Sequence, residues 1–285
     1  MFFLEECQNI NSEEVKMNAN KITFTNAQLK TLLKVLKGLA RHCRDVCIEQ
    51  GIIRQLSNDR SVVFEVDLRS ILGNLTFVIA KDQNIPNFLR RAPKPITIEG
   101  KLNEFFISNP DGPYWFRFDM PQLVNNRFIS EKELESSFCQ FLREENLLIR
   151  IWIEKIVLKC IRIGLKVFKE KYYKLNFSKY NVEFLIEEIK QHRRRKSKKK
   201  KDRFFIQGII MEEIPLFQPI NGHVIMPSLP FESFDYDENF LWEVYYINGE
   251  FLISKVSGPI GEVEAIVYMQ NKLIIPQDYP KPQNK

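Results

Sequence analysis

Apolar residues recur in the first half of the chain with two different periods, which separate strands from helices. Residues 21–25 (KITFT) alternate between apolar and polar, and this predicts a strand. From Thr25 or Asn26, either of which can cap a helix, the apolar spacing changes to three and four residues. The segment therefore predicts an amphipathic helix. Its apolar stripe consists of Leu29, Leu32, Leu33, Leu36 and Ala40.

The remainder of the first half alternates in short segments separated by polar turns, which is typical of antiparallel strands. Three of these segments predict a meander, and a short helix is expected before Pro93, because proline cannot continue a helix. A hairpin and a final strand close the unit. The predicted strands are 46–49, 52–56, 62–68, 75–80 and 114–118, the helix is 85–91, and the hairpin is 96–108.

A second unit begins after residues 120–129, which lack a clear period and predict a connector. Ser130 and Glu133 form a capping box, so a second long helix is expected, with an apolar stripe of Leu134, Phe138, Phe141 and Leu142. Further strands are predicted at 156–177, 204–211 and 265–269, a strand or short helix at 182–189, and a proline-punctuated passage at 224–234.

An internal repeat supports this division. Residues 104–108 (EFFIS) return as 250–254 (EFLIS), and a Gly-Pro pair follows each copy at the same distance. The hairpins thus align at an offset of 146, whereas the two long helices align at 105. We therefore expect a duplicated unit with about 41 additional residues in the second copy.

Charge is concentrated in one segment. The net charge is +6, and residues 193–203 (RRRKSKKKKDR) alone contribute nine basic and one acidic side chain, so the rest of the chain is slightly acidic. The run is compatible with a solvated loop, nonspecific nucleic-acid binding or a nuclear import signal. The run lies in the expected insertion.

The chain has room for two domains of ordinary size, and its 44% hydrophobic content indicates a folded protein. Its five cysteines form no CxxC pair, which argues against a disulfide framework or a structural zinc site. Neither a signal peptide nor a membrane span is evident, because charges interrupt the apolar stretches. We expect a soluble intracellular protein.

Sequence motifs of catalysis are absent: phosphate loops, GxGxxG, HExxH and GxSxG do not occur. We therefore expect neither an enzyme nor a cofactor or metal site. The first helix is more informative, because no acid occurs from Asn26 to Cys43, although exposed helix faces usually mix charges. Such a face is either solvated or contacts phosphate without reading bases. Its cations are Lys30, Lys34, Lys37 and Arg41.

The succession of strand, cationic helix, meander, short helix and hairpin, used twice, resembles the DNA sliding clamp family, both the T-even-like phage clamps and the proliferating cell nuclear antigen group. The first unit is similar over 21–68, and residues 241–269 (LWEVYYINGEFLISKVSGPIGEVEAIVYM) resemble the closing hairpin. The resemblance implies an α+β fold of two similar clamp domains, with antiparallel sheets outside and amphipathic helices on one face. The implied divisions are a 1–20 arm, domain 1 at 21–119, a connector at 120–129, domain 2 at 130–275 with a basic insertion around 191–203, and a 276–285 tail.

The same resemblance implies a homotrimeric ring that encircles double-stranded DNA as a processivity factor, with a DNA polymerase and a clamp loader as partners. Its source would be viral, phage or cellular, and its compartment the bacterial cytoplasm or the nucleus accordingly. Partner peptides are expected at Met120, Pro121, Leu123 and Val124. The expected DNA contacts are Lys30, Lys34, Lys37, Arg41, Arg90, Arg91, Lys132, Arg143, Arg193, Arg194, Arg195, Lys196, Lys198, Lys199, Lys200 and Lys201.

Three features depart from the family pattern: an acidic second helix, the basic insertion, and a second short helix that is hard to place within 226–234. Two other functions therefore stay open. One is a monomeric replication or transcription accessory protein that binds nucleic acid through 193–203. The other is a structural or assembly protein whose basic loop is solvated.

Overall fold

The computed structural model describes residues 21–58, 60–80, 83–101, 104–120, 128–159, 171–191, 203–226 and 232–274. The expected arm, the tail, most of the connector and most of the basic run lie outside these ranges. Among the described helices, none is long and apolar enough to cross a membrane. Cys43, Cys47 and Cys139 carry free thiols.

Five helices and sixteen strands make up the described chain. The helices are α1 Asn26–Leu39, α2 Arg69–Leu72, α3 Ile85–Arg91, α4 Glu131–Ser137 and α5, described over 155–159. The strands are β1 Lys21–Phe24, β2 Asp45–Ile48, β3 Ile52–Leu56, β4 Val62–Asp67, β5 Phe77–Ala80, β6 Ile96–Lys101, β7 Glu104–Ser108, β8 Trp115–Asp119, β9 Leu147–Ile153, β10 Lys171–Ser178, β11 Asn181–Gln191, β12 Arg203–Pro215, β13 Gly222–Met226, β14 Phe240–Ile247, β15 Phe251–Ile260 and β16 Val263–Lys272.

The strands form antiparallel sheets whose order repeats. One four-stranded sheet has the order β1-β6-β7-β8, and a six-stranded sheet contains β9-β14-β15-β16 in the same order before continuing into β4 and β3. A second four-stranded sheet has the order β12-β11-β10-β13, and β2 pairs with β5. The pairing of β4 with β16 joins the two halves of the chain in one sheet.

The duplicated hairpin is confirmed, because β6-β7 and β14-β15 occupy equivalent places in the two sheets. Phe24 of β1 lies opposite Ile96, and Ile151 of β9 lies opposite Trp242 in the same way. The first strands of the two domains are thus 127 residues apart and the hairpins 146 apart. The second domain therefore has 19 more residues than the first between its first strand and its hairpin. The expectation of about 41 was wrong, because it equated the wrong helices.

The structural counterpart of α1 is α5, since α1 follows β1 and α5 follows β9. The prediction of a long helix after Ser130 was wrong in length. Its capping box with Glu133 is present, but α4 has only seven residues and is followed by short 3-10 turns at Cys139–Phe141 and Glu144–Asn146. The expected strand character of 156–177 was also wrong at its start, where α5 lies.

Two sides of the six-stranded sheet carry different elements, because successive strand residues point to opposite faces. Phe64 of β4 faces the main core, with its ring 5.4 Å from His42 just after α1. Its neighbour Val63 faces the other way and packs with Leu134 of α4 and with Tyr268. Therefore α1 and α4 lie on opposite faces of the sheet.

The first helix forms as its pattern predicts. Thr25 caps it through a capping box with Gln28, and α1 buries its leucine stripe in the main core. The predicted strands, short helix and hairpin of the first half are present, except that the expected three-stranded meander is incomplete. In the structure β3 pairs with β4, whereas the ladder of β2 is formed with β5 and only Glu49 and Ile52 bridge the turn.

Candidate nucleic-acid interface

The exposed side of α1 carries part of the expected cationic face. Lys30 and Lys37 are exposed, and Arg41 follows at the end of the helix, also exposed. These residues are separated by seven and four positions, so they align along one side of the helix. The guanidinium Nη1 of Arg41 donates a hydrogen bond to the main-chain oxygen of Glu232 at 3.0 Å. Lys30 and Lys37 therefore contribute the most accessible positive charge of α1.

Lys34 has a different environment from its neighbours, because its side chain is 29% exposed and forms an ion pair with Asp237. Thr31 and Gly38 on the same side of α1 are buried against Gly261 and Phe234. Burial alone would raise the pKa of Asp237, but hydrogen bonds from Lys34 and the Gly261 amide outweigh it and lower that pKa. The cationic face is thus partly an interface between the two domains.

The short helix α3 lies beside α1 and adds Arg90 and Arg91, both exposed. Arg90 Nη2 donates to Asn87 Oδ1 at 3.1 Å, so this guanidinium is held on its own helix. Positive charges near the C-terminus of a helix interact favourably with its dipole, which also explains their place in the last turn. Both side chains are therefore exposed on a helix that packs beside α1.

The second domain supplies cations that the sequence interpretation missed. Lys155, Lys159, Arg162 and Lys166 repeat the spacing of the four α1 cations, but this stretch had been interpreted as strand. In the structure Lys155 and Lys159 belong to α5, and Lys159 is exposed. Arg162 and Lys166 lie outside the described residues. The helical spacing of the charges was the signal that could have identified this face.

An acidic segment borders these helices. Between β13 and β14, Glu232, Asp235, Asp237 and Glu238 precede the strand that is equivalent to β6, and so take the chain position that Arg90 and Arg91 have in the first domain. The main-chain oxygen of Asp237 accepts a hydrogen bond from Lys155 Nζ at 2.9 Å. The second domain therefore places acids where the first places arginines.

Lys132 and Arg143 do not join this surface. Lys132 lies on α4 and Arg143 follows the 3-10 turn after it, where Leu134 and Leu142 pack with Val63 and Tyr268 on the opposite face of the sheet. Arg143 is also paired with Glu145 at 3.6 Å. Their assignment to the helix-lined side was wrong, because the helix after Ser130 is not the counterpart of α1.

The remaining expected residues can be located only in part. Met120 is half-buried against the main core, whereas Pro121, Leu123 and Val124 lie outside the described residues. The same holds for 193–201. The basic run follows β11 and ends at Arg203, the first residue of β12, which pairs with Gln191 at the end of β11. These strands have 11 and 13 residues, against five and six in β3 and β4, so the insertion extends this hairpin.

Each sheet ends in edge strands whose outer backbone groups are open to another strand, and among them are β8 in the first domain and β12 in the second. The open β8 strand is unusually apolar for an exposed edge, since Trp115 is 65% and Phe116 44% exposed. Phe116 rests on Phe88 of α3, with ring centroids 4.7 Å apart. An open apolar edge favours pairing with another strand.

The comparisons with known proteins agree with this architecture. No family profile and no curated protein sequence matches the chain. Among solved structures, A. fulgidus PCNA, determined with the C-terminal region of FEN-1 bound, is 11% identical over 92% of this chain and 99% of its own, with a TM-score of 0.51. PCNA from Entamoeba histolytica is 10% identical over 88% and 98%, with a TM-score of 0.53. The chain has the sliding-clamp fold.

That fold confirms the expected α+β architecture of two similar clamp domains, in which antiparallel sheets carry helices on one face. Helix α4 lies on the other face of the six-stranded sheet. Because the identities are low, the likeness concerns the arrangement of the backbone.

Proposed function

We propose that this protein is a DNA sliding clamp, which encircles duplex DNA as a ring and tethers a polymerase as a processivity factor. The observation that carries the proposal is the combination of the clamp fold with cations on the α1 side of the sheets, among them Lys30, Lys37 and Lys159. Lysines without amide or carboxylate partners suit phosphate contact that ignores sequence. Several such weak contacts hold a duplex and still let it slide.

A ring follows if copies join through different edges, head to tail. The open strands β8 and β12 belong to different domains, and a heterologous contact of this kind closes into a ring when the rotation permits. The exposed Trp115 and Phe116 on β8 supply apolar area for the contact. We propose a homotrimer, because the resemblance to sliding clamps implies a ring of three two-domain subunits.

Partners dock near the connector in this proposal. The A. fulgidus PCNA structure contains the C-terminal region of FEN-1, and we propose that polymerase and clamp-loader segments bind this chain near the connector, where Met120 lies. The protein would act as a soluble intracellular scaffold without catalysis. The source and the compartment stay predictions.

Two measurements test the proposal. Size-exclusion chromatography with light scattering should give the mass of three subunits at working concentration, and the protein should lengthen the products of its polymerase on a primed circular template. A monomer at every concentration, without stimulation, would contradict the clamp. If deletion of 193–203 abolished all DNA binding while Lys30→Glu with Lys37→Glu had no effect, the monomeric accessory protein would be favoured instead.

A further inference from the structure

Asp237 lies at the point where the two clamp helices approach each other. Its carboxylate Oδ1 pairs with Lys34 of α1, and its main-chain oxygen accepts a hydrogen bond from Lys155 Nζ of α5 at 2.9 Å. The second carboxylate oxygen accepts the Gly261 amide at 2.6 Å. One residue therefore holds an ammonium group from each domain.

The main chain keeps this carboxylate in place. The Asp237 amide donates to the Pro259 oxygen at 2.9 Å, and the preceding residue, Tyr236, is fully buried, with its ring stacked 5.0 Å from that of Phe240. Asp237 therefore cannot follow Lys34 if that lysine turns toward solvent. The ion pair would have to break before Lys34 could contact another anion.

A lysine that is already paired contributes less to DNA binding than a free one. Electrostatic affinity for a duplex comes from the counterions that free cations displace, at a salt slope of about 0.9 for each neutralised phosphate. Lys34 already has a counter-charge in Asp237, so contact with a phosphate would replace one ion pair by another. The net gain in binding free energy from that exchange is small.

We propose that Asp237 restrains the DNA contact of this clamp by holding Lys34 away from phosphate. The inference rests on the proposed clamp function. It assigns to one acid on the helix-lined side a role in keeping binding weak, so that the ring moves along the duplex. The remaining free cations, such as Lys30 and Lys37, then provide the working contact.

Glu238 offers a matched control. It carries the same charge one residue along and is exposed, and among the described residues no ion pair joins it to a cation. Asp237→Asn and Glu238→Gln each remove one negative charge from nearly the same place, but only the first releases Lys34. Asparagine also keeps an oxygen for the Gly261 amide, so the local backbone contact is retained.

The experiment measures binding of the full chain to a fluorescent linear duplex by anisotropy, between about 50 and 200 mM salt. For D237N we expect tighter binding and a salt slope steeper by about 0.9, because one lysine, Lys34, is released. Lys34→Met should weaken binding little in the natural chain but should reverse the gain in the D237N background. E238Q should change affinity less than D237N and leave the slope unchanged.

Thermal unfolding of each variant verifies that the protein is folded. Equal effects of D237N and E238Q, or a Lys34→Met effect that is the same in both backgrounds, would overturn the restraint, because the cause would then be general charge. If neither the natural chain nor any variant bound duplex DNA, the proposed function itself would fail. The two failures are therefore distinguishable.

Discussion

Charge reversal of Lys30 and Lys37, the two most accessible cations of α1, tests whether the α1 side of the sheets contacts DNA. Lys30→Glu together with Lys37→Glu changes side chains that are exposed in the structure, so folding should be little affected. If each lysine neutralises one phosphate, the salt slope of duplex binding falls by about 1.8 for each subunit that touches the DNA. At low salt the affinity for duplex DNA should fall further than this change in slope suggests, because the introduced glutamates repel phosphate.

The matched control reverses Lys132 and Arg143, which lie on the α4 side of the six-stranded sheet. It changes the protein's net charge by the same amount. We expect the α1 variant to lose DNA binding and polymerase stimulation, and the control to retain most of both. The assays are fluorescence anisotropy over a salt series and product length on a primed circular template. Equal losses in the two variants would refute the helix-lined interface, since only total charge would matter.

Three further outcomes follow from individual contacts. Gly261→Ala should destabilise the fold by about 1–3 kcal/mol in a denaturant titration, because Gly261 has a φ of 61° and a Cβ there would meet Thr31; an unchanged midpoint would contradict this packing. Trp115→Asp on the open edge of β8 should lower the mass measured by light scattering, whereas the equally exposed Trp152 should tolerate the same change. If both variants behaved alike, β8 would not form the contact between subunits. The pKa of Asp237 is lowered in the folded state, so its contribution to stability is present above the ordinary pKa of an aspartate and is lost as the pH falls through the lowered value. D237N should therefore reduce the loss of unfolding free energy at acidic pH. An unchanged loss would refute the ion pair with Lys34.

Local sequence determined the elements whose stabilising contacts lie nearby. The capping box of Thr25 and Gln28 and the leucine stripe behind it define α1 within a few turns. The repeated EF-x-IS hairpins could be found because their strands are close in sequence and alternate regularly. Family resemblance then supplied the clamp architecture, which the backbone comparison confirms.

Only the tertiary structure decided which elements correspond and which charges are free. Ser130 and Glu133 form a genuine capping box, but a cap begins a helix without setting its length or the sheet face on which it packs. The isoleucines around Lys155 suggested strands, whereas the place of α5 after β9 follows from the pairing of β9 with β14, about ninety positions away in sequence. Lys34 forms its ion pair with Asp237, which is 203 residues away in the sequence.

Such contacts are not encoded in periodicity, because a helical or strand period reports only which residues share one face of one element. The partner of that face depends on how distant segments close on each other. The four α1 cations were therefore visible as a stripe, but their division into exposed lysines and one paired lysine was not. That division exists because the second domain folds back and places a carboxylate against α1.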